Sequence, residues 1–197
     1  TIHSSRTRFA GRLNSGVRPL MYRLGHLVGG KWVAHSHRPV FAAGERIVAG
    51  VPGGDPSVFG NMVECLEPPY YLLYVLHTPR GEAQPGRYQS PTLSLAQIKD
   101  FLAEFASFLA GDARFDLWAH SPGDNATVVW DRHNRLFGYG PVDQFSSKLI
   151  SLGFTPGNPE VPAPHEHHYR AELDSLAEGV MAAFDWSHSP LRPEDEQ

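Results

Sequence analysis

Apolar positions recur at two different periods along this chain, and the switches between them divide it into elements. From Leu95 onward, Ile98, Phe101, Leu102, Phe105, Phe108 and Leu109 fall at helical spacing, and Gly111 stands where a C-terminal cap belongs. Ser94 and Gln97 make a capping-box pair, which fixes the start of that helix. The run Tyr70–His77 is apolar on both faces and so predicts a central, buried strand. Phe115–His120, Ala126–Asp131 and Arg135–Tyr139 predict three further short strands. Ser121–Asn125 and Arg132–Asn134 join them, and Gly and Asn there tolerate the positive φ of tight turns. Consecutive strands joined so tightly form an antiparallel meander.

Helices follow the meander. Pro141 opens one that runs to about Leu152, with Val142, Phe145 and Leu149 inward and Gly153 at its end. The last runs over 170–184 on Leu173, Leu176, Val180, Met181 and Phe184. Upstream, Glu45–Val51 predicts a strand, Pro52-Gly53-Gly54 a turn, and Asp55 or Ser57 the cap of a short helix to about Leu66. Thr78 to Pro91, with Pro79, Gly81, Pro85, Gly86 and Pro91, reads as a loop. Gly25, Gly29 and Gly30 interrupt any regular pattern in residues 1–45, which read as an irregular arm.

Runs of strands separated from runs of helices imply an α+β fold. The expected architecture is a mainly antiparallel sheet, made of the three-strand meander plus the central strand. Helices cover one face of it, and the arm leads in. The expected boundaries are 1–45 for the arm, 46–188 for the domain and 189–197 for an acidic surface tail. A chain of 197 residues suits one such domain.

Charge sharpens this picture. Residues 1–44 hold seven basic side chains (Arg6, Arg8, Arg12, Arg18, Arg23, Lys31 and Arg38) and no acid, against a net charge of −4 for the whole chain. An acid-free, Arg- and Ser-rich start resembles a mitochondrial transit peptide over residues 1–30. The preferred reading is instead an arm that docks on its own acidic body or on a twin subunit. Nucleic acid is not expected as a partner, because aromatics do not interleave the basic residues and the body would repel phosphate. No run approaches the ~18 apolar residues of a membrane span. Cys65 is the only cysteine, so no intrachain disulfide can form, which favours a reducing, cytoplasmic setting. Arg outnumbers Lys by 14 to 3, as in GC-rich coding, and a bacterial origin is expected.

Candidate chemistry is dispersed. The segment Pro164-His165-Glu166-His167-His168-Tyr169 packs three histidines and a carboxylate into four positions. Extended backbone would aim His165 and His167 the same way, a two-ligand start that a remote His120, Asp131, His133 or His188 would have to complete. No HExxH helix or paired CxxC is present. Asp131 and His133 could pair as base and orienting group, although their tight turn favours local backbone bonding. His120-Ser121 with Asp124 lacks the strand-to-helix elbow of a nucleophilic serine. Gly50 to Asp55 lacks both phosphate-loop patterns, and Asp55 would compete with phosphate for the helix amides. His77, Arg80 and Arg87, with Glu82, flank the long loop and could clamp an anionic ligand. Trp118, Trp130, Phe137 and Tyr139 on adjacent strands could leave an aromatic patch exposed.

Two functional expectations follow. The preferred one is a non-catalytic interaction module, without cofactor, that pairs through the arm and the sheet aromatics with a protein partner or as a homodimer. The alternative is a metal-binding protein or metal-dependent hydrolase that holds Zn or another divalent transition metal with His165, His167 and His168.

Overall fold

A computed structural model describes residues 21–195. Residues 1–20, which make up most of the span read as a transit peptide and the first part of the basic arm, therefore lie outside the described part. Twelve strands and five α-helices are described, in two sheets.

The large sheet is built from β3 (Val40–Ala43), β4 (Ile47–Gly50), β5 (Tyr71–Leu76), β6 (Gly86–Gln89), β7 (Phe115–Ser121), β8 (Ala126–Trp130), β9 (Arg135–Tyr139), β10 (Thr155–Pro156) and β12 (Ser187–Ser189). Their spatial order is β10-β3-β4-β9-β8-β7-β5-β6-β12. Every pairing is antiparallel except β10 on β3. The meander β7-β8-β9 and the central β5 form as the sequence predicts. Burial alternates along β7 and β8 with period two, so Phe115, Leu117, Ala119, Val128 and Trp130 face the core.

Helices α1 (Pro56–Val63), α2 (Leu95–Glu104), α3 (Ala106–Gly111), α4 (Val142–Ser151) and α5 (Asp174–Ala182) share this core. Ser94 and Gln97 complete the predicted capping box, and Asp55 caps α1 by accepting from the Ser57 amide at 2.9 Å. The long apolar helix is interrupted at Phe105, which joins α2 to α3. Gly138 lets α4 lie close on β9: a Cβ there would stand 2.9 Å from the Phe145 ring. Helices on one face of a mainly antiparallel sheet make the fold α+β.

Three segments differ from the sequence reading. Much of the segment read as an irregular arm is β structure: β1 (Leu24–Val28) and β2 (Lys31–Ala34) pair with β11 (His165–His167) in a small sheet of order β11-β1-β2, and β3 joins the large one. Gly29 and Gly30, both at positive φ, make the turn between β1 and β2 rather than breaking structure. The 78–91 loop contains β6, the edge strand β12 runs into the start of the expected surface tail, and that tail buries Asp195 against Arg87. Short polar edge strands carry little periodic signal, and only their neighbours define them.

Arg23 fastens the small sheet to the large one. Its guanidinium is fully buried between the Phe115 and Trp130 rings, 4.8 and 4.4 Å from their centroids. It donates to the carbonyls of Asp131 and Leu109. Burial is the main influence on this guanidinium and lowers its pKa to about 10, against the opposing fields of Asp116 and Asp131. One basic residue of the arm is thus locked on the turn between β8 and β9.

Candidate metal centre

Strand alternation sets the site. In β11, His165 and His167 share a face and Glu166 points the other way. Across the ladder His26 stands opposite His165, and Leu24 opposite His167. The His35 amide donates to the Leu24 carbonyl at 2.8 Å, which continues the β1–β2 pairing by one residue. His26, His35, His165 and His167 therefore lie on one face of the small sheet.

The β8–β9 turn delivers His133 to this face. Asn134 at φ 58° closes the turn, and the Asp131 carboxylate organises it. Asp131 Oδ1 accepts the amides of His133 (2.9 Å) and Arg135 (2.8 Å), while Oδ2 takes the Arg135 guanidinium at 2.9 Å. Burial would raise this carboxyl, but the hydrogen bond from His133 and the charge of Arg135 outweigh it and hold it below the usual range. His37, which is buried, donates from Nε2 to the His133 carbonyl at 2.9 Å. Only a glycine at position 50 allows that approach, since a Cβ there would lie 2.5 Å from His37 Cβ.

His133, His165 and His167 each bring a ring nitrogen to within 4.8 Å of the others. Their ring centroids are 5.2, 4.8 and 5.4 Å apart. Imidazoles bound to one tetrahedral zinc at about 2.0–2.1 Å would bring their nitrogens to roughly 3.3 Å, so the three rings would draw closer together to share an ion. Two of the rings are fixed from behind. His133 Nδ1 faces Asp131 Oδ2 at 3.4 Å, and His165 Nδ1 donates to the Pro162 carbonyl at 3.0 Å. Each bond commits Nδ1 to the proton and leaves Nε2 as the lone pair, the outer-shell arrangement of metal-bound histidines. The third, His167, has a buried Nε2 with no hydrogen-bond partner among the described residues. Burial, with the nearby His133 and Arg132, lowers the His167 pKa to about 3, so the ring is neutral and its lone pair is available.

The other residues singled out in the sequence are spread over the molecule. His168 falls on the opposite face, where Nε2 lies 3.2 Å from Glu166 Oε1 and the ring packs on Tyr22. His120 bonds Thr127, and His188 packs on Tyr88. His77, Arg80 and Arg87 share no partner: they pair with Asp116, Asp174 and Asp195 respectively. Ser121 donates to the Glu67 carbonyl and Asp124 accepts the Glu67 amide, so that trio stitches a hairpin to its neighbour. Burial pushes the Cys65 thiol up, which leaves it unreactive near neutral pH. Histidines 26, 35 and 37 went unnoticed in the sequence. His35-Ser36-His37 repeats the alternate spacing of His165 and His167, and that spacing was the available signal.

Comparison with family models, with curated proteins and with solved structures finds no match, so the geometry of the histidine face carries the functional argument.

Proposed function

We propose that this chain is a transition-metal-binding protein whose centre is formed by His133, His165 and His167. The observation that supports it best is the meeting of a remote histidine with the alternating pair, their ring nitrogens within 4.8 Å of one another, with two of the three rings already held by Nδ1. Imidazole ligands suit Zn²⁺, Cu²⁺ and Ni²⁺, and a three-histidine set leaves a coordination position for water. A bound ion would lower the pKa of that water and act as a Lewis acid. The nearest carboxylates are engaged: Asp131 orients His133, and Glu166 faces away beside His168. Metal binding, rather than a defined hydrolytic step, is therefore the reading.

Isothermal titration of the untagged, chelator-treated protein with Zn²⁺ tests it. His133→Ala and His167→Ala are each expected to weaken zinc binding at least 100-fold, whereas His168→Ala leaves it unchanged. Equal affinity in all four proteins would remove the proposal.

Self-association is the second reading, favoured by the face of the large sheet that carries no helix among the described residues, where Trp118 and Phe137 are half-buried and Tyr139 is exposed. Arg87 lies over Trp118, and Arg46 and Arg135 over Phe137, so the chain already covers much of that face itself. For this reason the metal reading is preferred. Light scattering after size exclusion, at low and high salt, decides the point, and a monomer at every concentration ends the second reading.

A further inference from the structure

The histidine face extends beyond the three residues of the proposed centre. His26 stands opposite His165 in the β1–β11 ladder, and His35 continues β2. Their ring centroids are 5.1 Å apart with the planes at 88°. That is the range of ring separations found within the His133/His165/His167 set. His26 Nδ1 and His35 Nε2 are both buried and have no hydrogen-bond partner among the described residues. A buried ring nitrogen left without a partner is unfavourable. Two such atoms lie on neighbouring rings, on the face that already gathers His165 and His167.

We infer that His26 and His35 form a second metal position beside the first, so that the small sheet carries a two-ion histidine array. This rests on the reading of the first centre, because the two share one face and its chemistry. Two imidazoles hold the second ion, against three at the first, so it binds more weakly and completes its shell with water. A cleft of about 410 Å³ lies against His35 and His37 and gives that water room, with Arg38, Asn158 and Glu160 also in its lining. His37 donates from Nε2 to the His133 carbonyl and so fixes the adjoining turn. Both pairs that matter, His26–His35 and His165–His167, offer imidazole nitrogens, a set suited to Zn²⁺, Ni²⁺ or Cu²⁺.

The test counts ions. The untagged chain, stripped with chelator, is titrated with Zn²⁺ by calorimetry, and bound zinc is measured by elemental analysis after equilibrium dialysis. Two ions per chain are expected in the wild type, one tight and one weaker. His26→Gln/His35→Gln, which keeps polar side chains of comparable size, should bind one ion with the tight affinity unchanged. His133→Gln/His167→Gln should lose the tight ion. Circular dichroism of each variant confirms the native fold before counting. A single ion in the wild type, whatever the His26/His35 variant does, overturns the second position and leaves the first centre standing. No bound ion at all, or tight binding that persists in the His133/His167 variant, overturns both.

Discussion

Arg114→Met is expected to lower the unfolding free energy by about 3–5 kcal/mol, the cost of stranding buried charge. The Arg114 side chain is wholly buried and is ringed by acids: Nε and Nη2 meet the two Asp112 oxygens at 2.9 Å each, and Nη1 meets Glu82 at 3.0 Å. Nη2 also reaches Asp174 at 3.0 Å and the Arg170 carbonyl at 3.1 Å. Burial by itself would pull this guanidinium's pKa down, but Asp112, Glu82 and Asp174 lift it above its ordinary value. Methionine keeps an unbranched apolar stem but removes the charge together with the guanidinium donors to Asp112, Glu82, Asp174 and the Arg170 carbonyl. Asp112, fully buried, and Glu82, at 2% side-chain exposure, then lose their counter-charge. They can recover only by taking up protons, so the deficit should shrink as pH falls from 7 toward 4. Urea unfolding followed by tryptophan fluorescence at several pH values measures both effects. Adding Asp112→Asn and Glu82→Gln to Arg114→Met should restore a large part of the loss. A deficit below about 1 kcal/mol for Arg114→Met alone would show that the cluster is not what holds β7 to α5. Lys99→Met gives the contrast: its pair with Glu64 is solvent-exposed, and its loss should be about half a kcal/mol or less.

Asp131→Ala is the second large effect, and it falls on the site as well as on the fold. Asp131 holds the β8–β9 turn through two backbone amides and the Arg135 guanidinium, and it faces His133 Nδ1. Its loss leaves those donors unpaired at a position that Arg23 also grips through the Asp131 carbonyl. A loss of about 2–3 kcal/mol in stability is expected. Zinc affinity should fall about 10- to 100-fold, because His133 loses the group that sets its tautomer and ring orientation. Asp131→Asn, which keeps an acceptor oxygen for the turn amides but drops the charge, should recover most of the stability and only part of the affinity. Calorimetric titration with Zn²⁺ beside thermal unfolding separates the two. Unchanged zinc affinity in a folded Asp131→Ala protein would exclude the orienting role.

Sequence alone determined whatever is decided within a few residues. The capping box at Ser94 and Gln97, the Asp55 cap, the alternation of β7 and β8 and the positive-φ turn at Asn134 are all local, because periodicity, capping and turn chemistry act over one or two turns of backbone. Two of the three residues of the candidate centre were equally legible: His165 and His167 share a face in any extended strand. What completes the centre is tertiary. His133 lies more than thirty residues before that pair, and His26 and His35 about a hundred further back, and nothing in their neighbours names the partner. Packing decided it, when the buried Arg23 guanidinium between Phe115 and Trp130 brought β1, with β11 on its edge, against the turn that carries His133. Strands β6 and β12 escaped for the same physical reason, since a short polar strand is defined by the neighbour whose amides it satisfies rather than by its own side chains.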